Sequence, residues 1–288
     1  MKIIFIFLSV IWLLSACKTQ PTQSYSDLNR PLGNFLTLMN VDQQNKIIIE
    51  EYFKTNVALN SLIDSLETIK YQPSSAYFGL VVNGLRAREG LMVWPTGDFY
   101  VGQWHNNKRT GKGHYVSSSN NQGLKNYYAG QWVNDQKHGY GILESSNGYT
   151  YKGEFIKDKK QGPGILTWTS GPFSGDVYQG DFVNNLRSGK GVYTWADGST
   201  HKGIWKEGKR QGMAETIWAN GQSYEGYYQA DTRTGYGVKT WPNGIAYRGM
   251  FKDGRAHGAG VKSNSKGEAC QGRWENDQLI GQCIAIAP

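Results

Sequence analysis

The sequence predicts an all-β repeat fold, an elongated single layer of antiparallel β-hairpins stacked as a solenoid and preceded by one α-helix. Three observations carry that expectation. A 23-residue pattern opening with Tyr-x-Gly-x-aromatic begins at Tyr77, Tyr100, Tyr128, Tyr151, Tyr178, His201, Tyr224, Tyr247 and Cys270. At its seventh and eighth positions every copy has a residue pair ending in Gly, Asn or Asp, from Asn83-Gly84 to Asn276-Asp277, the types that accept positive φ in a two-residue hairpin turn. Finally, 31 of the 37 glycines fall at positions 3, 12, 14 or 21 of the pattern, so glycine here is architecture rather than linker. A unit of this length buries its face only against its neighbours, which is the logic of a solenoid.

The elements follow in chain order. Met1-Lys2 and the apolar run Ile3 to Leu14 form a secretory signal ending in Leu14-Ser15-Ala16-Cys17. That run is too short to span a membrane comfortably as a helix. The four closing residues resemble the bacterial lipobox, which implies cleavage after residue 16, lipidation of Cys17 and attachment to a membrane. Lys18 in place of Asp leans the address toward the outer membrane, facing the periplasm. Residues 17–40 are polar, contain Pro21 and Pro31, and are expected to form a flexible tether. Residues 41–76 hold an amphipathic helix and a connector. Ile48, Tyr52, Leu59, Leu62, Leu66 and Ile69 mark an apolar stripe over Asp42 to Lys70, with Asp42 as N-cap and Pro73 as the stop. A helix packed on the chain's own sheet and a dimeric coiled coil both fit that stripe.

Residues 77–288 form the repeat domain. With the turn at positions 7 and 8, simple pairing places position 6 opposite 9, 5 opposite 10, 3 opposite 12 and 1 opposite 14. Cys270 and Cys283 occupy positions 1 and 14 of the last copy. They are therefore expected to face each other and form a disulfide, consistent with an exported protein whose remaining cysteine is Cys17.

No Gly-x-Ser-x-Gly elbow, His-Glu-x-x-His pair or phosphate-binding Gly-Lys-Ser/Thr occurs, so a non-catalytic role with no cofactor and no metal is expected. His138 and His257 both occupy position 11 and are expected to be surface strand residues. The leading candidate site is a basic row at position 10: Arg86, Arg109, Lys137, Lys160, Arg187, Arg210 and Arg233. Together with a formal net charge of +8, this row suits a polyanionic surface such as anionic lipid or lipopolysaccharide, or an acidic protein partner. A solvated charge row stacked on neighbouring rings is the plainer reading. An exported chain is not expected to meet nucleic acid.

The recurring Tyr-x-Gly-x-Phe/Trp, turn, Gly-x-Gly, Trp and closing Gly resemble the MORN repeat, with nine copies. The resemblance implies a scaffold that contacts membranes or other proteins. Its departures are Val81 and Arg88 in the first copy, His201 for Tyr, Ala214 for Gly, and the two cysteines of the last. A glycan or cell-wall polymer binding module, and an enzyme or toxin/immunity component without a recognisable motif, are the alternatives.

Overall fold

The computed structural model describes residues 43–55, 67–71, 75–118 and 125–286, together with Leu32, Phe35, Leu36, Met39 and Val41. The expected signal, Cys17 and most of the tether lie outside the described residues. The chain divides into two compact units, Met1–Ser118 and Ser119–Pro288.

The first unit contains helix α1 (Gln43–Thr55) and strands β1 (Glu67–Tyr71), β2 (Ser75–Val82), β3 (Leu85–Val93), β4 (Phe99–His105) and β5 (Lys108–Ser118). The helix is shorter than its periodicity suggests. Ile69 lies in β1, which pairs antiparallel with β2 in the register Ile69↔Tyr77, whereas Asp42, Leu59, Leu62, Leu66 and Pro73 fall outside the described residues. The physical reason is the sheet edge: β2 opens the first hairpin and would leave a row of unpaired backbone groups, which β1 satisfies. Leu32, Phe35 and Leu36 are helical and buried, so the folded part begins earlier than residue 41. Phe35 and Phe53 meet Phe78 at ring-centroid distances of 5.4 and 6.0 Å, and Tyr52 donates to Glu89 Oε2 at 2.7 Å. In this unit the helix therefore lies on the chain's own sheet.

The second unit is a run of hairpins. Its strands are β6 (Lys125–Val133), β7 (Gln136–Ser145), β8 (Tyr149–Ile156), β9 (Lys159–Trp168), β10 (Val177–Val183), β11 (Leu186–Thr194), β12 (Thr200–Lys206), β13 (Lys209–Ile217), β14 (Ser223–Gln229), β15 (Thr232–Thr240), β16 (Ala246–Lys252), β17 (Arg255–Ser263), β18 (Ala269–Glu275) and β19 (Gln278–Ile286). Each pairs antiparallel with the next. All nine turns, across both units, have positive φ at both central residues, 46° to 53° at position 7 and 66° to 82° at position 8. These are type I′ turns, whose twist matches that of the strands they join.

The register inside each hairpin differs from simple pairing. In the fourth repeat Phe155 faces Lys160, position 5 against 10, but Gly153 then faces Gly164 and Tyr151 faces Leu166. A bulge lies between, and the position-12 glycine forms it, with Gly162 at φ 65°. Position 3 is thus opposite 14, and position 1 opposite 16. Because Gly164 also pairs with Gly180 of the next repeat, the glycines at positions 3 and 14 form a continuous row across the strands. Residues on either side of that row separate into two faces.

On one face the position-1 tyrosine lies down across the row. A Cβ placed on Gly164 would sit 2.5 Å from the Tyr151 hydroxyl, and one on Gly191 2.3 Å from that of Tyr178. The phenol donates to the position-4 carbonyl of its own strand, Tyr128 to Gln131 at 3.0 Å and Tyr247 to Met250 at 3.1 Å. Each ring also stands edge-on to the position-5 aromatic of its own repeat and of the next: Tyr151 meets Phe155 and Phe182, both at 5.1 Å, and Tyr178 meets Phe182 at 5.2 and Trp205 at 5.4 Å. Those spacings and near-perpendicular planes are the favourable edge-to-face arrangement. Burial raises the hydroxyl pKa of Tyr128, Tyr151, Tyr178 and Tyr224 well above the ordinary tyrosine value.

Two departures from the pattern prove to be compensated exchanges of this contact. His201 replaces the tyrosine and Ala214 the position-14 glycine of one repeat; the shorter ring, fully buried, leaves room for the alanine methyl. Cys270 and Cys283 replace the same two positions in the last hairpin and are joined by a disulfide with Cα atoms 5.5 Å apart. Cys270 is opposite Ala285, not Cys283. The bridge therefore runs diagonally, along the path that a tyrosine ring takes elsewhere.

His201 Nδ1 shares a hydrogen bond with Thr216 Oγ1 at 2.8 Å, and Thr216 Oγ1 is 2.7 Å from the Tyr228 hydroxyl. Burial, with a smaller contribution from Arg210, holds the His201 pKa at about 4, and burial alone holds that of His114, against Tyr52, at about 4. Both groups carry fewer protons folded than unfolded between that value and the ordinary 6.5. Stability is therefore full above pH 6.5 and is lost as pH falls toward 4. Thermal unfolding followed across this window should show the midpoint falling with acid, and NMR of the imidazole nitrogens should find His201 neutral down to about pH 4. A His201 signal titrating near the free value would contradict its placement.

Candidate functional site: the two faces of the repeat sheet

The ring face holds the basic row. Arg86 and Arg109 belong to the first unit and Lys137, Lys160, Arg187, Arg210 and Arg233 to the second; all seven are half-buried rather than fully solvated. Each faces the position-5 residue across its hairpin, as in Phe155↔Lys160 and Trp205↔Arg210. The stacking partner is another ring. Except for Arg210, whose repeat begins with His201, the head group lies over the position-1 ring of its own repeat, and for most arginines it lies over the position-5 ring of the following one. Arg86 Cζ is 4.2 Å from the Trp104 centroid, Arg187 4.3 Å from Trp205 and Arg210 5.0 Å from Tyr228. Lys160 Nζ is 5.3 Å from the Tyr151 ring and 4.3 Å from that of Tyr149.

The row also ties each repeat to the next turn. Arg86, Arg187, Arg210 and Arg233 donate from Nη2 to the position-8 carbonyl of the following repeat: Asn107 at 3.0, Gly208 at 2.7, Asp231 at 2.9 and Gly254 at 2.6 Å. Where position 8 is Asn or Asp, its side chain caps the position-10 backbone N–H, as Asn185 does for Lys160 at 2.9 Å. Lys137 and Arg210 form ion pairs with Asp158 and Asp231 at 3.6 and 3.0 Å. Among the described residues, Lys160, Arg187 and Arg233 have no carboxylate at ion-pair distance. Burial lowers the Lys160 pKa to about 8 and also lowers that of Arg187. Lys160 still carries its charge in most molecules at neutral pH.

Near the far end of the row the pattern shifts. Position 16 becomes Lys239 and Lys262, both over the half-exposed Trp241 ring, at 4.6 and 6.0 Å. The spacing of position-10 residues alone does not reveal these two cations, because they stand at a position occupied elsewhere by the uncharged residues Met, Tyr, Leu, Thr or Ala. Trp168, Trp195 and Trp218 are half-exposed at the same position 18. Among the described residues there is no group of His, Cys, Asp or Glu arranged to hold a metal ion.

The family model for the MORN repeat matches residues 77–99, 100–122, 128–148, 151–172, 178–200, 201–223, 224–245 and 247–268, more than half of the chain. The chain belongs to the MORN-repeat family. The match covers eight of the nine hairpins; the last, with cysteine for both tyrosine and glycine, keeps the hairpin but lies outside it. MORN repeats suggest a repeat-based binding scaffold. Among solved structures, the SAS-4 (dCPAP) TCP domain of Drosophila melanogaster, in complex with a proline-rich motif of Ana2 (dSTIL), is 8% identical over 71% of this chain and 87% of that chain, with a TM-score of 0.24. A streptogramin B lyase is 11% identical over 72% of this chain and 67% of that chain, with a TM-score of 0.15. No curated protein matches.

The second face, here the open face, is formed by positions 2, 4, 6, 9, 13 and 15. In the first unit α1 covers it: Phe78, Leu91 and Val101 are buried there. In the second unit it is hollowed into a groove of about 1060 Å³ whose lining includes Tyr140, Glu154, Ile165, Ile204 and Met213.

The geometry of the ring face makes a basic side chain part of the repeat junction as well as a surface charge. Replacing Arg187 by Ala removes the stack on Trp205 and the bond to Gly208, and should cost about 1–2 kcal/mol in urea denaturation. Arg187→Lys keeps the charge but not the planar fork and should recover less than half of the loss. Wild-type stability of Arg187→Lys would mean that charge alone is required there.

Proposed function

We propose that this MORN-repeat protein is a non-catalytic scaffold of the bacterial cell envelope. It is held at a membrane through lipid on Cys17, on the periplasmic side of the outer membrane, and meets an anionic surface or an acidic protein partner through its ring face. The observation that carries the reading is the recurrence of one cation per repeat at position 10 from Arg86 to Arg233. Lys160, Arg187 and Arg233 direct their positive charge at rings and backbone carbonyls rather than at carboxylates. Such charges remain available to phosphate-bearing lipid or lipopolysaccharide, although the half-buried head groups make them shallow contacts rather than free arms. A lipid anchor adds the second signal that stable surface attachment needs.

A glycan or cell-wall polymer reading rests on one specific observation, the half-exposed tryptophans at position 18. The position-1 tyrosines offer no such platform, since Tyr77, Tyr100, Tyr151, Tyr178 and Tyr224 have no exposed surface.

Two measurements test the proposal. Cys17→Ser should abolish acylation and move the protein from the membrane to the soluble fraction; unchanged fractionation would remove the anchor from the account. The combined change Arg109→Gln, Lys160→Gln and Arg210→Gln should weaken binding to vesicles containing anionic lipid, and high salt should have the same effect on the unmodified protein. Salt-insensitive binding that instead tracks a soluble glycan would favour the tryptophan row.

A further inference from the structure

We propose that the open face of the second unit is a docking surface for a protein partner that presents an amphipathic α-helix with an acidic flank. This interaction is separate from the ring-face contacts. A row of large apolar side chains crosses the open face at positions 4 and 13 of three successive repeats: Ile204, Met213, Tyr227, Tyr236 and Met250, exposed by 38, 46, 50, 57 and 43%. They are neighbours by register, with Met213 opposite Tyr227 and Tyr236 opposite Met250. Exposed apolar side chains scattered singly need no explanation, whereas a contiguous row beside a groove marks a contact site.

The kind of partner follows from two features of the same molecule. The open face of the first unit is covered by a helix: Phe53 of α1 and the helical Phe35 before it meet Phe78, and Ile49 of α1 is buried. A helix is therefore a shape that this twisted surface accepts. The second feature is charge. On the turn side, the row is bordered by two like-charged pairs placed directly opposite each other, Lys206↔Lys209 and Lys252↔Arg255, all four exposed. Like charges at opposed strand positions are locally destabilising, and the other hairpins place such residues as Val133↔Gln136 or Gln229↔Thr232 there. Among the described residues no carboxylate forms an ion pair with these four. Carboxylates along one flank of an incoming helix would offset that repulsion. The border away from the turns mixes signs, with Lys202, Glu215, Glu225 and Arg248, and so places no single charge requirement on the other flank.

The test uses the full chain and two synthetic amphipathic helical peptides with one leucine stripe, one flanked by Glu and the other by Lys, with binding read by fluorescence anisotropy. The Glu peptide should bind at least about tenfold more tightly than the Lys peptide. Tyr227→Ser with Tyr236→Ser should weaken it by about tenfold or more, since buried aromatic anchors dominate such contacts. Changing Lys206, Lys209, Lys252 and Arg255 together to Glu should reverse the preference between peptides, which keeps the proposal testable if the tyrosine variant unfolds. Circular dichroism of each variant separates loss of binding from loss of fold. Equal binding of both peptides, or no effect of either variant that folds, would overturn the proposal. So would loss of anionic-vesicle binding in these variants in place of peptide binding, because that would assign the face to a membrane surface.

Discussion

The fold depends on a ring laid flat against bare backbone. In each regular repeat the position-1 tyrosine lies over glycines at positions 3 and 14, so close that a methyl on Gly113 would stand 2.3 Å from the Tyr100 hydroxyl. The contact excludes water from the sheet surface, fixes the tyrosine rotamer through its bond to the position-4 carbonyl, and turns the ring edge toward two position-5 aromatics. A single-layer sheet has no second layer to bury its apolar side. Here the aromatic side chains supply that second layer themselves, and the glycines make the space in which they lie.

From this contact the coupling between repeats follows. One tyrosine touches the aromatic of its own hairpin and that of the next, so the rings interlock along the run instead of forming separate clusters. The bulge at position 12 shifts the register and brings position 14 opposite position 3, without which the glycines would not form a row. The position-10 cation then bridges the same junction from above, and the position-8 carbonyl and side chain of the next turn receive it. The proposed anion-binding chemistry is thus built upon contacts that the sheet already needs. This limits how freely those residues can be exchanged, and it explains why Arg, with its planar fork, is frequent in the row.

The period, the turn type and the identity of the buried rings were legible in the sequence, because each is set within a few residues and recurs. The bulge was not: Gly162 and its equivalents read as partners of position 3, and only the pairing of Gly153 with Gly164 shows that they are the extra residues. The apolar spacing after Asp42 suggested one long helix, yet backbone demand at the edge of β2 recruits Ile69 and its neighbours as a strand. The pairing of Cys270 with Cys283 followed from their positions, although by a direct opposition that the register replaces with a diagonal. His201 and Ala214 looked like unrelated departures. Their meaning needed three dimensions, since the two side chains that compete for one space lie thirteen positions apart in the sequence.

That exchange offers the most direct test of the central contact. Equilibrium denaturation would be compared for His201→Tyr, Ala214→Gly and the double change, which restores the pattern of the other repeats. The tyrosine alone must share its space with the Ala214 methyl and should lose about 1–3 kcal/mol by overpacking, while the glycine alone leaves a methyl-sized void and should lose about 1 kcal/mol. The double variant is predicted to return to within about 1 kcal/mol of the parent, a strong positive coupling between the two sites. Additive losses, with the double variant as unstable as the sum of the singles, would contradict the claim that ring and glycine form one unit.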